Sequence, residues 1–113
     1  MSSRFIHLHL HTEFSLADST IRVPEKPDEA RPEKAKRPNL LSRAVEMKLP
    51  ALAVTDRNNL FALIKFYKSA ESVGIKPIAG ADLSIVDGKE SPWQLTLLCR
   101  DHVGYLSLSR LLT

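Results

Sequence analysis

Apolar and polar residues alternate along Phe5-Ile6-His7-Leu8-His9-Leu10-His11. This two-residue period belongs to a β-strand, so residues 4–11 are expected to form one. Phe5, His7, His9 and His11 then share one face, and Ile6, Leu8 and Leu10 share an apolar face that can bury against helices. Residues 12–20 are polar turn chemistry. Helical spacing begins after Pro38: Asn39 is a candidate N-cap, Leu40, Leu41, Ala44 and Val45 form a stripe, and Pro50 marks the stop. Ala51-Leu52-Ala53-Val54-Thr55 is a continuous apolar run ending at Asp56, the pattern of a buried parallel strand. A second helix is predicted from about Asn59 to Val73, with Leu60, Leu63, Ile64, Tyr67 and Ala70 on its inner face and Gly74 at the C′ position. A strand follows over Lys76 to Ala79 and continues past Gly80 to Val86. Asp87-Gly88 is a turn signal, Trp93 to Cys99 reads as another strand, and Asp101 caps a last helix carrying Tyr105, Leu108, Leu111 and Leu112 on one face.

Strands alternating with helices indicate α/β architecture with parallel pairing and helices packed outside. A closed barrel of eight such units takes about 250 residues, and 113 residues supply about half. The chain stops at Leu111-Leu112-Thr113 inside a helical pattern, so it is expected to be part of a longer protein, with residues 1–113 forming one domain portion.

Composition changes the picture little: 43% apolar and 26% charged residues are ordinary for a globular domain. No apolar stretch approaches the roughly 20 residues of a membrane span, and Arg4 to His11 is too short and polar for a signal peptide. A cytoplasmic protein without membrane contact is expected. Cys99 is the only cysteine and sits in an apolar run, where it reads as a small buried hydrophobe. The net charge of +3 is concentrated in residues 22–38, which hold six basic against four acidic residues and four of the seven prolines. That composition denies both helix and ladder and reads as a mobile, solvated surface insertion, with a helical turn over Asp28 to Lys36 as the alternative. Its interspersed acids argue against nucleic-acid binding through the tract, so deleting it should leave the salt dependence of DNA binding unchanged.

Candidate chemistry lies at the strand ends, where parallel α/β folds assemble their sites. The first strand delivers His9 and His11, the second Asp56, and the third Asp82. Histidine with carboxylate is a ligand set for zinc, manganese or iron, and two or three such ions can clamp a phosphoryl group and supply hydroxide. The bland alternative is a solvated edge strand whose imidazoles only make hydrogen bonds. Trp93 and Phe61 read as packing residues, and His102 has no evident partner.

The run HLHLHT followed by Ser15, then ALAVTD, then GIKPIAGADL resembles the polymerase and histidinol phosphatase (PHP) domain family, in the form carried by bacterial replicative DNA polymerases. Asn59-Leu60, Lys65-Phe66-Tyr67, Leu95-Thr96-Leu97-Leu98 and Gly104-Tyr105 support the narrower match. Only the proline-rich insertion falls outside it. The resemblance implies about the first half of a distorted (β/α) barrel of PHP type. It implies metal ligands at His9, His11, Asp56 and Asp82, with zinc, manganese or magnesium as candidate ions. Thr12 and Ser15 belong to the first motif and are expected to hold the loop after the first strand.

Two positions depart from the family pattern. Arg57 stands where metal-binding members carry histidine after Thr-Asp, and Asp82 stands where they carry glutamate. A guanidinium cannot ligate a metal. Arg57 is expected to pair with Asp56 or Asp82 instead, leaving a degenerate site, and the role of His7 stays open. The resemblance then implies a structural, partner-docking part of a DNA-directed DNA polymerase. Its partners would be the remainder of the polymerase α chain, the proofreading exonuclease (epsilon) subunit, the replisome with its sliding clamp, and DNA held by the parent polymerase. The alternative is an active metal-dependent phosphoesterase.

Overall fold

The computed structural model describes residues 5–86, 88 and 93–113. Helix α1 spans Leu40–Glu46, strand β1 Ala51–Arg57, helix α2 Leu63–Ser72, strand β2 Lys76–Ile85, strand β3 Trp93–Leu98 and helix α3 His102–Leu112. The sheet order is β1-β2-β3. β1 and β2 pair in parallel, from Ala51 opposite Lys76 to Arg57 opposite Asp82. β3 returns antiparallel to β2, with Asp82 opposite Thr96, beside the expected parallel β1–β2 pair. The reason is the short connection: a parallel return needs a crossover of a dozen or more residues, whereas a hairpin does not. Asp87, half of the turn signal, lies outside the described residues, and Gly88 has φ +65°.

The alternating histidine segment is a partial strand along the β1 edge. Ala53 N donates to His7 O (2.9 Å) and Thr55 N to Leu10 O (2.8 Å). The acceptors are three residues apart and the donors two, so one extra residue slips the register, as in a bulge. The Thr55 hydroxyl fills the gap by accepting from Leu10 N at 2.9 Å. Regular ladder pairing survives only as an isolated parallel bridge between His7 and Leu52. The predicted apolar face is correspondingly covered only at Leu10, which is partly buried against the core, while Ile6 and Leu8 are exposed.

Asn39 caps α1 as expected: its side chain accepts from Ser42 N and the Ser42 hydroxyl accepts from Asn39 N, a reciprocal box. α1 and α2 cover one face of β1. Leu41, Leu52, Phe66 and Ala70 are fully buried there, each removing apolar surface worth about 25 cal/mol per Å². α2 is shorter than predicted because the Asn59 side chain accepts from Phe61 N and holds residues 59–62 in a turn. Its buried face is also rotated from the predicted stripe. Phe66, Ser69 and Ala70 point inward, whereas Ile64 is 69% and Tyr67 48% exposed.

The proline-rich tract is not wholly solvated. Val23 and Ala30 join the core cluster, and Pro27–Ala30 forms a 3-10 turn against α2, shorter than the Asp28 to Lys36 turn considered above. α3 begins at the predicted cap, with Asp101 Oδ1 accepting from Gly104 N at 2.9 Å. Leu108 buries against Ala81 and Leu83, but Leu111 remains exposed. At Gly80 the backbones close up: a Cβ there would sit 2.5 Å from Leu97 O. Trp93 and Phe61 are exposed rather than packed, Phe61 meeting only the edge of Phe14 among the ring contacts described. His102 stacks on Tyr105. Cys99 is partly rather than fully buried.

Candidate metal centre

The β1–β2 register decides which side chains can meet. Arg57 lies opposite Asp82, and Asp56 opposite Ala81. Since neighbours in a strand alternate faces, Asp56 and Asp82 extend to opposite sides of the sheet. Thr96 lies across from Asp82 on β3 and shares its face.

On that face the histidines converge on one carboxylate oxygen. His9 Nε2 donates to Asp82 Oδ2 at 2.6 Å and His11 Nε2 donates to the same atom at 2.5 Å. Thr96 Oγ1 donates to the other oxygen at 2.5 Å. Asp82 is 2% exposed. Burial pushes its carboxyl up. The hydrogen bonds from Thr96, His9 and His11, with the charge of His9, outweigh burial and leave the carboxyl below its ordinary value. Sequence reasoning passed over Thr96, although its place in the LTLL run two residues from Gln94 gives it the right parity once β3 is paired with β2.

Asp56 serves a different purpose. Its oxygens accept from Thr12 N (2.5 Å), Thr12 Oγ1 (2.7 Å) and Ser15 Oγ (2.7 Å), all buried. Ser15 Oγ accepts in turn from Arg57 N at 3.0 Å, and Asn59 Nδ2 donates to Phe14 O. Thr12 and Ser15 therefore do hold the loop after the histidine segment, clamped onto the end of β1. Of the four predicted ligands, His9, His11 and Asp82 come together, with donor atoms within 4.8 Å of one another, and Asp56 is not in that group. The guanidinium of Arg57 lies against the Gln94 amide of β3, whose oxygen accepts from it in the orientation that satisfies both groups.

Two imidazoles and one carboxylate suit a single ion of the zinc or manganese class; magnesium prefers an all-oxygen set. His9, His11 and Asp82 are the residues that would hold such an ion, and it would polarise bound water. Two features work against loading. Both Nε2 atoms now carry the protons that a metal must displace. The N···O separations are also shorter than the roughly 3 Å that ligands at about 2 Å from a common ion require, so the trio has to open. A clamp of two or three ions does not fit, because Asp56 is committed to Thr12 and Ser15, and Arg57 puts a fixed cation on the Asp82 face.

The PHP domain family matches residues 7–113. The DNA polymerase III subunit alpha of Xylella fastidiosa is 73% identical over 112 residues, which is 99% of this chain and 9% of that protein. The subunit of the same name from Neisseria meningitidis is 41% identical over 96% of this chain, and the error-prone DNA polymerase of Symbiobacterium thermophilum 36% over 96%. This chain spans 8% of the length of each of those two relatives. With the family pattern matched from the first histidine of the cluster to the last residue of the chain, the chain belongs to the PHP domain family.

Proposed function

We propose that the chain is the N-terminal PHP portion of the catalytic α subunit of a bacterial replicative DNA polymerase III, a DNA-directed DNA polymerase of chromosome replication. The observation that carries this reading is the 73% identity over 99% of the chain to a protein of that name. In this reading the portion is structural. It supports the polymerase core and docks partners, with the proofreading exonuclease subunit and the sliding-clamp replisome as the assembly it serves and the cytoplasm as its compartment. Polymerisation belongs to carboxylates elsewhere in the parent chain. No helix among the described residues is long and apolar enough to cross a membrane.

The metal site is degenerate in this proposal. The support is the closure of His9 and His11 onto Asp82, the engagement of Asp56 by the 12–15 loop, and the guanidinium of Arg57 on the Asp82 face. The test is to assay the full-length subunit for primer extension and for hydrolysis of a phosphomonoester with added zinc or manganese. Primer extension without hydrolysis is expected. Metal-dependent hydrolysis abolished by His9→Ala would establish the phosphoesterase instead.

A further inference from the structure

Folding separates charges that the sequence intermixes. Arg22, Arg37 and Arg43 line one open cleft of about 660 Å³, with no carboxylate among its lining residues. Arg22 and Arg37 stand on the rim it shares with a smaller cleft, and the acids Glu13, Glu25 and Glu29 line only that second one. Among the described ion pairs, Glu25 meets Lys65 rather than either arginine. Arg43 meets the exposed Glu46 at 3.3 Å, outside the cleft. The arrangement is held from beneath. Leu40 N donates to Arg22 O at 2.8 Å, tying the segment carrying Arg22 to the start of α1, beside the buried Asn39 cap.

Three exposed guanidiniums line one cleft that no carboxylate lines, while Arg43 also meets Glu46 and Arg22 and Arg37 border the acid-lined second cleft. An anion in the first cleft has all three as partners. Guanidinium presents a planar fork that matches phosphate oxygens in pairs, which lysine does not. We propose that Arg22, Arg37 and Arg43 form a phosphate-backbone contact for DNA, reading no sequence. The proposal rests on the polymerase reading above, which brings DNA to the molecule. Arg22 and Arg37 lie inside the proline-rich tract, so this proposal replaces the expectation that deleting the tract leaves the salt dependence of DNA binding unchanged; Arg43 lies outside it, so counting charges along that tract alone hides the cluster.

The experiment measures binding of a primer–template duplex by the full-length subunit across a salt series, for wild type, the triple Arg→Ala variant at 22, 37 and 43, and the triple Arg→Lys variant. Each phosphate contact contributes about 0.9 to the slope of log affinity against log salt. Loss of the three arginines is expected to flatten the slope by about two to three and to weaken binding at least tenfold at low salt. The lysine variant should keep most of the slope. All three side chains are exposed, and an unchanged melting temperature confirms that the fold is intact. An unchanged slope in the alanine variant overturns the proposal. So does saturable inorganic phosphate binding that disappears in the variant while DNA binding does not, or loss of an acidic protein partner with DNA binding intact. Wild-type primer extension separates the two readings: where it is absent the polymerase reading fails, and where it is present an unchanged slope condemns the arginine cleft alone.

Discussion

Arg57 and Asp82 stand directly opposite each other across the parallel β1–β2 register, so a fixed cation shares a sheet face with the carboxylate that gathers His9 and His11. The family resemblance implies a histidine ligand at the position of Arg57, where the arginine offers no ligand and adds charge. Arg57→His should therefore restore a fourth donor and raise zinc or manganese affinity of the intact subunit at least about tenfold, the equivalent of 1.4 kcal/mol. Equilibrium dialysis with metal analysis reads this directly. An unchanged affinity would mean that Arg57 is not what disables the site.

Asp56 accepts three hydrogen bonds from Thr12 and Ser15, and we propose that it anchors residues 12–15 rather than binding metal. Replacing it with alanine leaves the Thr12 N–H and two hydroxyls without their buried acceptor, at a cost of order 3 kcal/mol. Amide hydrogen exchange over residues 12–15 of the intact subunit should accelerate, and metal content should not change. Loss of bound metal without faster exchange would return Asp56 to the ligand set.

Phe66 and Ile64 sit two residues apart on α2 with opposite burial, 0% and 69% exposed. Phe66→Ala should destabilise by about 3–5 kcal/mol through cavity formation. Ile64→Ala should stay within about 0.5 kcal/mol. Denaturant melts that reverse this order would contradict the orientation of α2.

Burial, and then the charge of Asp101, push the Cys99 thiol above its ordinary value. The thiolate is the reactive form, so its population at neutral pH falls below that of a free cysteine. Iodoacetamide labelling of Cys99, read by peptide mass spectrometry, should be slow near pH 7 and still rising about tenfold per pH unit above the free-cysteine range of roughly 8.5. Asp101→Asn keeps the helix cap and should shift the profile to lower pH. A plateau reached by pH 8 in the wild type would contradict the assignment.

Local signals were legible in the sequence wherever one short stretch determines the outcome. The Asn39 cap, the β1 run ending at Asp56, and the Asp101 cap all depend on neighbours in the chain. His9, His11 and Asp82 were legible as chemistry because parallel strands bring their ends together. What the sequence hid depends on tertiary choice. The stripe on α2 has two apolar faces, and only packing against the 3-10 turn carrying Ala30 and against β2 selects Phe66 over Ile64. The one-residue slip between residues 7–10 and β1 breaks the alternation that predicted a full strand. Asp56 and Asp82 look equivalent as acids at strand ends, and only the register shows that they face opposite ways. Val23 and Ala30 are buried because two small or apolar residues in a charged tract suffice to pin it to the core.

In the function proposed here, the histidine-lined site no longer holds metal as a working centre. Elemental analysis of the full-length subunit, purified without chelator and then dialysed against metal-free buffer, tests this most directly. Zinc and manganese far below one ion per chain are the predicted result. One or more tightly held ions per chain, lost on replacing His9, His11 or Asp82, would contradict it.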